Sequence, residues 1–307
     1  MSAIANWIAL GAVKDIGIAS LEKVYEKLSG LNLTINDLFE CGKEEIIRDF
    51  GFNEKLAGAV IAAKNLTGKT EADSLALNDA GIEIIPFFSG AYPKRLTETL
   101  AGERPPFLYV LGDVNILSSK CAAVLGDSSV SSKGEAITFS AAREIAAREI
   151  VTLSGMASGV DTIAHRAAIV SGGKTAAFIP CGMKYFRPPK ILQDIMTKEN
   201  TAIASPFYPD EQITKYNAFE RNKIICALSK AVFIVEAPSE GGIFEAAKSA
   251  VKLNVPLYTA AYGEYPANAL GNKKILEEMH GKAIMQRKGA ELIEPNMDAF
   301  IADVKFN

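Results

Sequence analysis

From residue 119 onward the sequence alternates short, continuous apolar runs with longer stretches of helical character, and this alternation limits the fold more than any other feature. Apolar runs at Lys120–Gly126, Glu149–Ser154, Lys174–Pro180, Thr201–Ser205, Lys230–Ala237, Val255–Ala260 and Lys282–Gln286 read as strands. Helical stretches lie between them, from Gly134 to about Arg148, around Asp161–Val170, near Phe219–Leu228, from Gly242 to about Leu253 and over Asn272–Met279. Strands that are apolar throughout, joined by helices, indicate a parallel sheet covered on both faces. Residues 116–307 are therefore expected to form an α/β unit, Rossmann-like, with a doubly wound and mainly parallel sheet.

The first 70 residues follow a different period. Ile16-Gly17-Ile18 leads into Leu21, Val24, Tyr25 and Leu28, one apolar face at helical spacing, which Ser20 is placed to cap. Further helices are expected from Thr34 or Asn36 and from near Asn53. The tight turns at Ile16–Ile18 and Phe50–Phe52 have the look of a helix–hairpin–helix (SAM-like) domain, with plain helix joints as the alternative. Residues 71–115 read as a connector, with a strand at Ile82–Phe87 and an extended segment through Arg104-Pro105-Pro106 to Val110.

Apolar residues make up 49% of the chain, enough for a sizeable core. The formal net charge of −3 argues against a non-specific polycation, although a local basic patch on an acidic protein can still hold phosphates. Residues 1–115 contain 11 Lys and Arg against 16 Asp and Glu, whereas residues 116–307 contain 22 against 20, so the larger part is the less acidic. Cys41, Cys121, Cys181 and Cys226 form no CxxC pair and His165 and His280 are the only histidines, so no metal site or cofactor is expected and the thiols read as reduced. No apolar run reaches the roughly 20 residues that span a bilayer, and a cytoplasmic location is expected.

Ligands of doubly wound sheets sit beyond the carboxyl ends of the strands, and four segments are placed to reach that edge. The first is the loop Gly126-Asp127-Ser128-Ser129-Val130-Ser131-Ser132-Lys133-Gly134, whose small residues let backbone N–H groups approach an anion at a helix start. Its spacing is not GxGxxG. In the second, Ser154 to His165, Gly155 and Gly159 allow a tight turn, Asp161 is positioned to cap the helix, and His165 follows one turn later. No partnered nucleophile follows from the sequence, so Asp161 and His165 read as a cap and a hydrogen-bonded histidine, with the helix start as the phosphate anchor. The third, Phe219-Glu220-Arg221-Asn222-Lys223, brings two cations and an amide to a loop–helix junction, where an Arg fork suits phosphate oxygens and an ion pair with Glu220 is the plain alternative. The fourth, Glu236 to Gly241-Gly242, places paired glycines at a helix start beside two acids.

Taken together, these segments resemble the DNA-processing protein A family (DprA, also called Smf). Ser154-Gly155-Met156-Ala157-Ser158-Gly159-Val160-Asp161-x-x-Ala164-His165 is similar to its SGxAxGID-x-x-AH signature, and Arg221-Asn222-Lys223-Ile224-Ile225-x-x-Leu228-Ser229 to its RNR-I-I-x-x-L-S segment. Tyr92-Pro93-x-x-Leu96, Pro106-Phe107-Leu108-Tyr109-x-x-Gly112, Val235-Glu236-Ala237 with Gly241-Gly242, and Gly271-Asn272 follow in the family's order. The resemblance implies a cytoplasmic, dimeric, non-catalytic protein that binds single-stranded DNA and loads the RecA recombinase during DNA recombination, competence and natural transformation. By position it implies a DNA pocket of Gly126, Ser128, Ser131, Gly134, Ser154, Gly155, Gly159, Arg221, Asn222, Lys223, Gly241 and Gly242.

The departures from the family pattern are as informative. Asp127-Ser128 stand where the family has Ser-Arg, Glu245 enters the segment after the paired glycines, and Phe219 is displaced from the family's Phe-Pro pair. Added acids oppose a polyanion. Many members carry a C-terminal winged helix, and 307 residues leave no room for one, so a divergent member is expected. A small-nucleotide binder on the same scaffold is the competing reading, because carboxylates can hold ribose hydroxyls. A nucleotide hydrolase of the PGGxGTxxE type is the third, although here Glu245 follows Gly242 too closely and no Gly-Thr intervenes. Tyr185, Phe186, Phe207, Tyr208 and Tyr216 are candidates to stack on bases.

Overall fold

A computed structural model describes residues 2–287 and 293–306. The chain divides into two compact units, Met1–Tyr92 with Ala101–Tyr109, and Pro93–Leu100 with Val110–Asn307.

The smaller unit holds α1 (Ala3–Gly11), α2 (Ile18–Gly30), α3 (Ile35–Glu40), α4 (Lys43–Phe50), α5 (Glu54–Lys64) and α6 (Thr67–Asp79), followed by the strand β1 (Ile82–Pro86). Local chemistry sets several boundaries. Thr34 and Asn53 cap α3 and α5 with their side chains, and Gly51, at φ +67°, ends α4 in a left-handed turn closed onto the Ile47 carbonyl. Ser20 is not the cap of α2; Gly17 takes that position, and Ser20 lies inside the first turn. The turn at Phe50–Phe52 buries both rings at a centroid distance of 6.0 Å, as a helix joint does. Helix α6 runs through residue 70, so the helical region and the segment expected as a connector are continuous.

The larger unit contains α7 (Lys94–Leu100) and receives the chain through β2 (Phe107–Gly112). There follow β3 (Cys121–Leu125), α8 (Ser132–Ala146), β4 (Val151–Ser154), α9 (Val160–Val170), β5 (Thr175–Phe178), α10 (Lys190–Gln193), β6 (Thr201–Ser205), α11 (Lys215–Leu228), β7 (Val232–Ile234), α12 (Gly242–Lys252), β8 (Leu257–Ala260), α13 (Leu270–Glu278), β9 (Lys282–Ile284) and α14 (Asp298–Phe306). From β3 on, the strand order is β6-β5-β4-β3-β7-β8-β9 and every neighbouring pair is parallel. This is the mainly parallel, doubly wound α/β arrangement that the apolar runs predict.

Both faces of this sheet are covered. Ala122, Val124, Phe233 and Tyr258 pack in one cluster with Ile137 and Ala141 of α8, Ala164 of α9 and Phe300 of α14. The Tyr258 and Phe300 rings meet edge to face at 5.3 Å. The alternate positions Ala123, Leu125 and Ile234 are equally buried, and α11 and α12 pack together on the sheet's other side. Strands buried on both faces are the reason their sequences read as unbroken apolar runs. Among the described residues no helix is long and apolar enough to cross a membrane.

Candidate functional site

β3 is the pivot of the larger sheet. Successive strands step away from it through β4, β5 and β6, and the chain then returns to its other side with β7, β8 and β9. The crevice between the loops after β3 and β7 is therefore the topological switch point, where ligands of such sheets bind.

At this crevice the first loop is held from within. Asp127 N–H donates to the Glu236 carbonyl at 2.8 Å, and the Asp127 carboxylate accepts from Ser129 N–H at 2.6 Å. Ser131 caps α8, accepting from Gly134 N–H at 3.0 Å. The same serine turns its own donors to Glu236, with N–H to Oε2 at 2.8 Å and the hydroxyl to Oε1 at 2.5 Å. Tyr262 and Asn268 complete the shell of that carboxylate at 2.7 and 2.6 Å. Glu236 is fully buried. A Cβ on Gly134 would stand 2.7 Å from the Glu236 carboxyl carbon, so glycine there makes room for this side chain. Ser131 and Gly134, expected to face a ligand phosphate, face Glu236 instead. Burial and the adjacent carboxylate push the Tyr262 phenol well above its usual range, and Lys133 sits 4.7 Å over the Tyr262 ring.

Across the crevice, Asn272 fastens the loops after β7 and β8. Its amide donates to the carbonyls of Val235 at 2.7 Å and Ala260 at 3.1 Å and accepts from Ala237 N–H at 2.9 Å.

The Ser154–His165 segment forms a buried polar frame. Ser154 Oγ lies 2.7 Å from the Val124 carbonyl and 2.9 Å from Asp161 Oδ1, and Ala157 N–H donates to Asp161 Oδ2 at 3.2 Å. Asp161 therefore holds the preceding loop. The N-cap of α9 is Gly159, at φ +71°, with no side-chain cap. A Cβ on Gly159 would meet the carbonyl oxygens of Asp127 and Ser128 at 2.5 and 2.6 Å, and one on Gly126 would meet the Val160 side chain at 2.5 Å. These glycines serve close approach of the two loops to each other. His165 does not meet Asp161. Its Nδ1 lies 2.6 Å from Thr175 Oγ1, whose hydroxyl donates to the Thr152 carbonyl, so Nδ1 carries the proton. Burial, with the nearby Arg221 charge, pushes the imidazole down to about 3.

Arg221 lies in the interior rather than at a loop–helix junction, because α11 starts earlier, at Lys215, capped by Thr214. Its exposure is 7%. Nη1 donates to the carbonyls of Gly155 and, at 2.9 Å, Phe178, at the ends of β4 and β5. A Cβ on Gly155 would run into this guanidinium and would come within 2.7 Å of Asp161 Oδ2. Burial lowers the affinity of Arg221 for its proton and raises the Asp161 carboxyl, and the opposite charges of the two groups oppose both shifts. Arg221 is thus a clamp on two strand ends. Asn222, also buried, donates to the Gly242 carbonyl at 3.1 Å, and Lys223 pairs with Glu220 at 2.6 Å.

The accessible part of the site is a rim. Ser128, Ser158 and Gly241 are exposed, and Gly241, at φ +99°, opens α12 without a side-chain cap. Phe219, 41% exposed, lies beside that helix start, its ring 3.6 Å from where a Gly242 Cβ would stand. Tyr216, one turn earlier on α11, is 68% exposed, and Lys215 is exposed next to it. Tyr185 is exposed on the loop after β5, with Lys184 and Arg187 beside it. Phe186, Phe207 and Tyr208 are half-buried. Glu245 is paired with Lys248 at 2.7 Å, and Asp127 is engaged by Ser129, so the two acids that depart from the family pattern are each held locally. Reading the sequence residue by residue placed Phe219 and Glu236 at the heads of the third and fourth segments but gave neither a role in the site. An acid inside the apolar run Val232–Ala237 and an aromatic two positions before Arg221 were the available signals.

Comparison with known proteins places the chain in a family. The family model of DNA recombination-mediator protein A matches residues 83–300, well over half of the chain. The DNA processing protein DprA of Streptococcus pneumoniae is 34% identical over 153 residues, 49% of this chain and 53% of that protein, so the matched region spans about half of that relative. DprA of Bacillus subtilis is 27% identical over 66% of this chain and 68% of its own, and Protein Smf of Synechocystis is 27% identical over 94% and 70%. The crystal structure of S. pneumoniae DprA superposes with a TM-score of 0.72 at 22% identity, covering 92% of this chain and 95% of that one. DNA processing protein A of Helicobacter pylori, which binds single-stranded DNA, gives 0.57 at 26% identity over 66% and 90%. Since the matched residues carry the pivot strand, both glycine loops and the buried Arg221 clamp, the chain belongs to the DNA recombination-mediator protein A family.

Proposed function

We propose that this chain binds single-stranded DNA along the carboxyl edge of its larger sheet and serves DNA processing and recombination as a non-catalytic mediator. The observation that carries the reading is the Phe219 ring beside the uncapped start of α12. An aromatic platform for a base next to a helix start for a phosphate is the pairing that single strands require. Tyr216 and Lys215, exposed on the same helix as Phe219, add a second ring and a cation, and Tyr185 is exposed on the loop after β5. The H. pylori relative binds the same class of ligand. Asp161 and His165 have separate internal partners and do not pair as acid and base with each other, which supports binding without turnover. Delivery of the strand to the RecA recombinase during natural transformation, action as a homodimer and a cytoplasmic location complete the proposal.

The test is fluorescence anisotropy with labelled oligo-dT, single-stranded against duplex, at two salt concentrations. Salt-sensitive binding that prefers the single strand is expected. Absence of binding at micromolar protein would refute the reading.

A further inference from the structure

In a doubly wound sheet the start of the helix after the pivot strand is the usual seat of a ligand phosphate. Here that position, the start of α8, contains the protein's own carboxylate. Glu236 takes two donors from Ser131, one from Tyr262 and one from Asn268, all between 2.5 and 2.8 Å. All four are donors to acceptor oxygens, the pattern a bound phosphate or carboxylate would also require. Gly134 leaves the space, and the 15-residue helix α8 aligns its dipole on it. The side chain reaches this seat from the far wall of the switch point, since Glu236 follows β7.

We infer that Glu236 is a resident anion that fills the phosphate seat of the switch point, excludes mononucleotide phosphates from it and leaves only the outer rim to a polyanion. Glu236 is then a specificity-determining residue. A mononucleotide has one phosphate group to anchor and would have to displace a buried, fully hydrogen-bonded side chain to do so. A single strand carries phosphate after phosphate and needs no deep seat. The exclusion stands on these contacts alone; the role of the rim rests on the DNA reading proposed above.

The experiment uses the full chain and follows its thermal midpoint at constant ionic strength, with chloride replaced by acetate or phosphate or with millimolar ADP added. For the natural protein no saturable shift is expected from any of them, and ADP should not displace oligo-dT. Glu236→Ala empties the seat and leaves its four donors. Its midpoint should be lower in chloride and rise by roughly 2–4 °C with acetate at about five times its dissociation constant. Glu236→Gln keeps the side-chain volume, so it should be destabilised yet indifferent to acetate. If Glu236→Ala does not fold in chloride, soluble protein should be recovered by refolding in acetate. A saturable ADP or phosphate response in the natural protein would overturn the inference. An Ala variant indifferent to acetate and phosphate, equal failure to refold in acetate and chloride, or an equal acetate response from the Gln variant would do the same. Loss of oligo-dT binding by the natural protein with these midpoints as expected would defeat the DNA reading and leave the role of Glu236 standing.

Discussion

The floor and the rim of the site are built from the same residue types put to opposite uses. On the floor, Ser131 bonds Glu236, Asp161 bonds Ser154, Arg221 holds the carbonyls of Gly155 and Phe178, and Gly134 and Gly155 make room for these side chains. On the rim, Ser128, Ser158, Gly241, Lys215 and the rings of Tyr216 and Phe219 face outward. A cation or glycine at a strand–helix turn is therefore no sign of ligand contact until its depth is known. The floor fixes where the loops stand, and the rim offers the surface.

That contrast is sharpest for Arg221. With Arg221→Ala, the carbonyls of Gly155 and Phe178 lose their donor and the neighbouring Asp161 charge is left uncompensated, which should cost about 3–5 kcal/mol. Urea denaturation checks this. A variant that loses DNA binding at an unchanged midpoint would move Arg221 to the rim.

The next effect is one of acidity. The His165 pKa is about 3 in the folded protein against 6.5 for an ordinary imidazole, so its stabilising contribution is complete above pH 6.5. As pH falls from 6.5 toward 3, the unfolded chain takes up a proton that the folded chain refuses. Stability should decline by about 1.4 kcal/mol per pH unit from this group. His165→Gln should flatten that slope in denaturation curves recorded between pH 7 and pH 5, and an unaltered slope would remove His165 from the floor.

For the rim, Phe219→Ala should weaken oligo-dT binding by about 1–3 kcal/mol, as loss of a stacked base does. Its urea midpoint should move far less than that of Arg221→Ala. Wild-type affinity in this variant would break the assignment of the rim. The smallest effect is expected from Lys215→Ala, which should reduce the slope of log affinity against log salt by about 0.7, the share of one phosphate contact on a single strand. An unaltered slope in the anisotropy titration would take Lys215 out of the contact set.

Much of the architecture was legible because it is written locally. Unbroken apolar runs of the right length announced the parallel strands, and Thr34 and Asn53 marked helix starts through the reach of their own side chains, whereas α8, expected from Gly134, starts at Ser132 behind its cap Ser131. Residues 219–223 lie inside α11, and the other three of the four segments were legible as loops at one edge. Depth was not. The environment of Glu236 is assembled from residues 131, 262 and 268, and no local pattern reports such a gathering. The direction of Arg221 depends on α11 starting at Lys215, before the apolar stretch by which the helix was recognised. Helix α14 was missed because its apolar positions Phe300, Ile301 and Val304 span little more than one turn and gain their meaning only against Phe233 and Tyr258.

The spacing on α11 has a mechanical corollary. Phe219 and Arg221 lie two residues apart on one helix, the first on the surface and the second bonded to the ends of β4 and β5. Under the DNA reading proposed above, a pull on a strand stacked against Phe219 would pass through about half a helical turn to the carbonyls at the ends of β4 and β5.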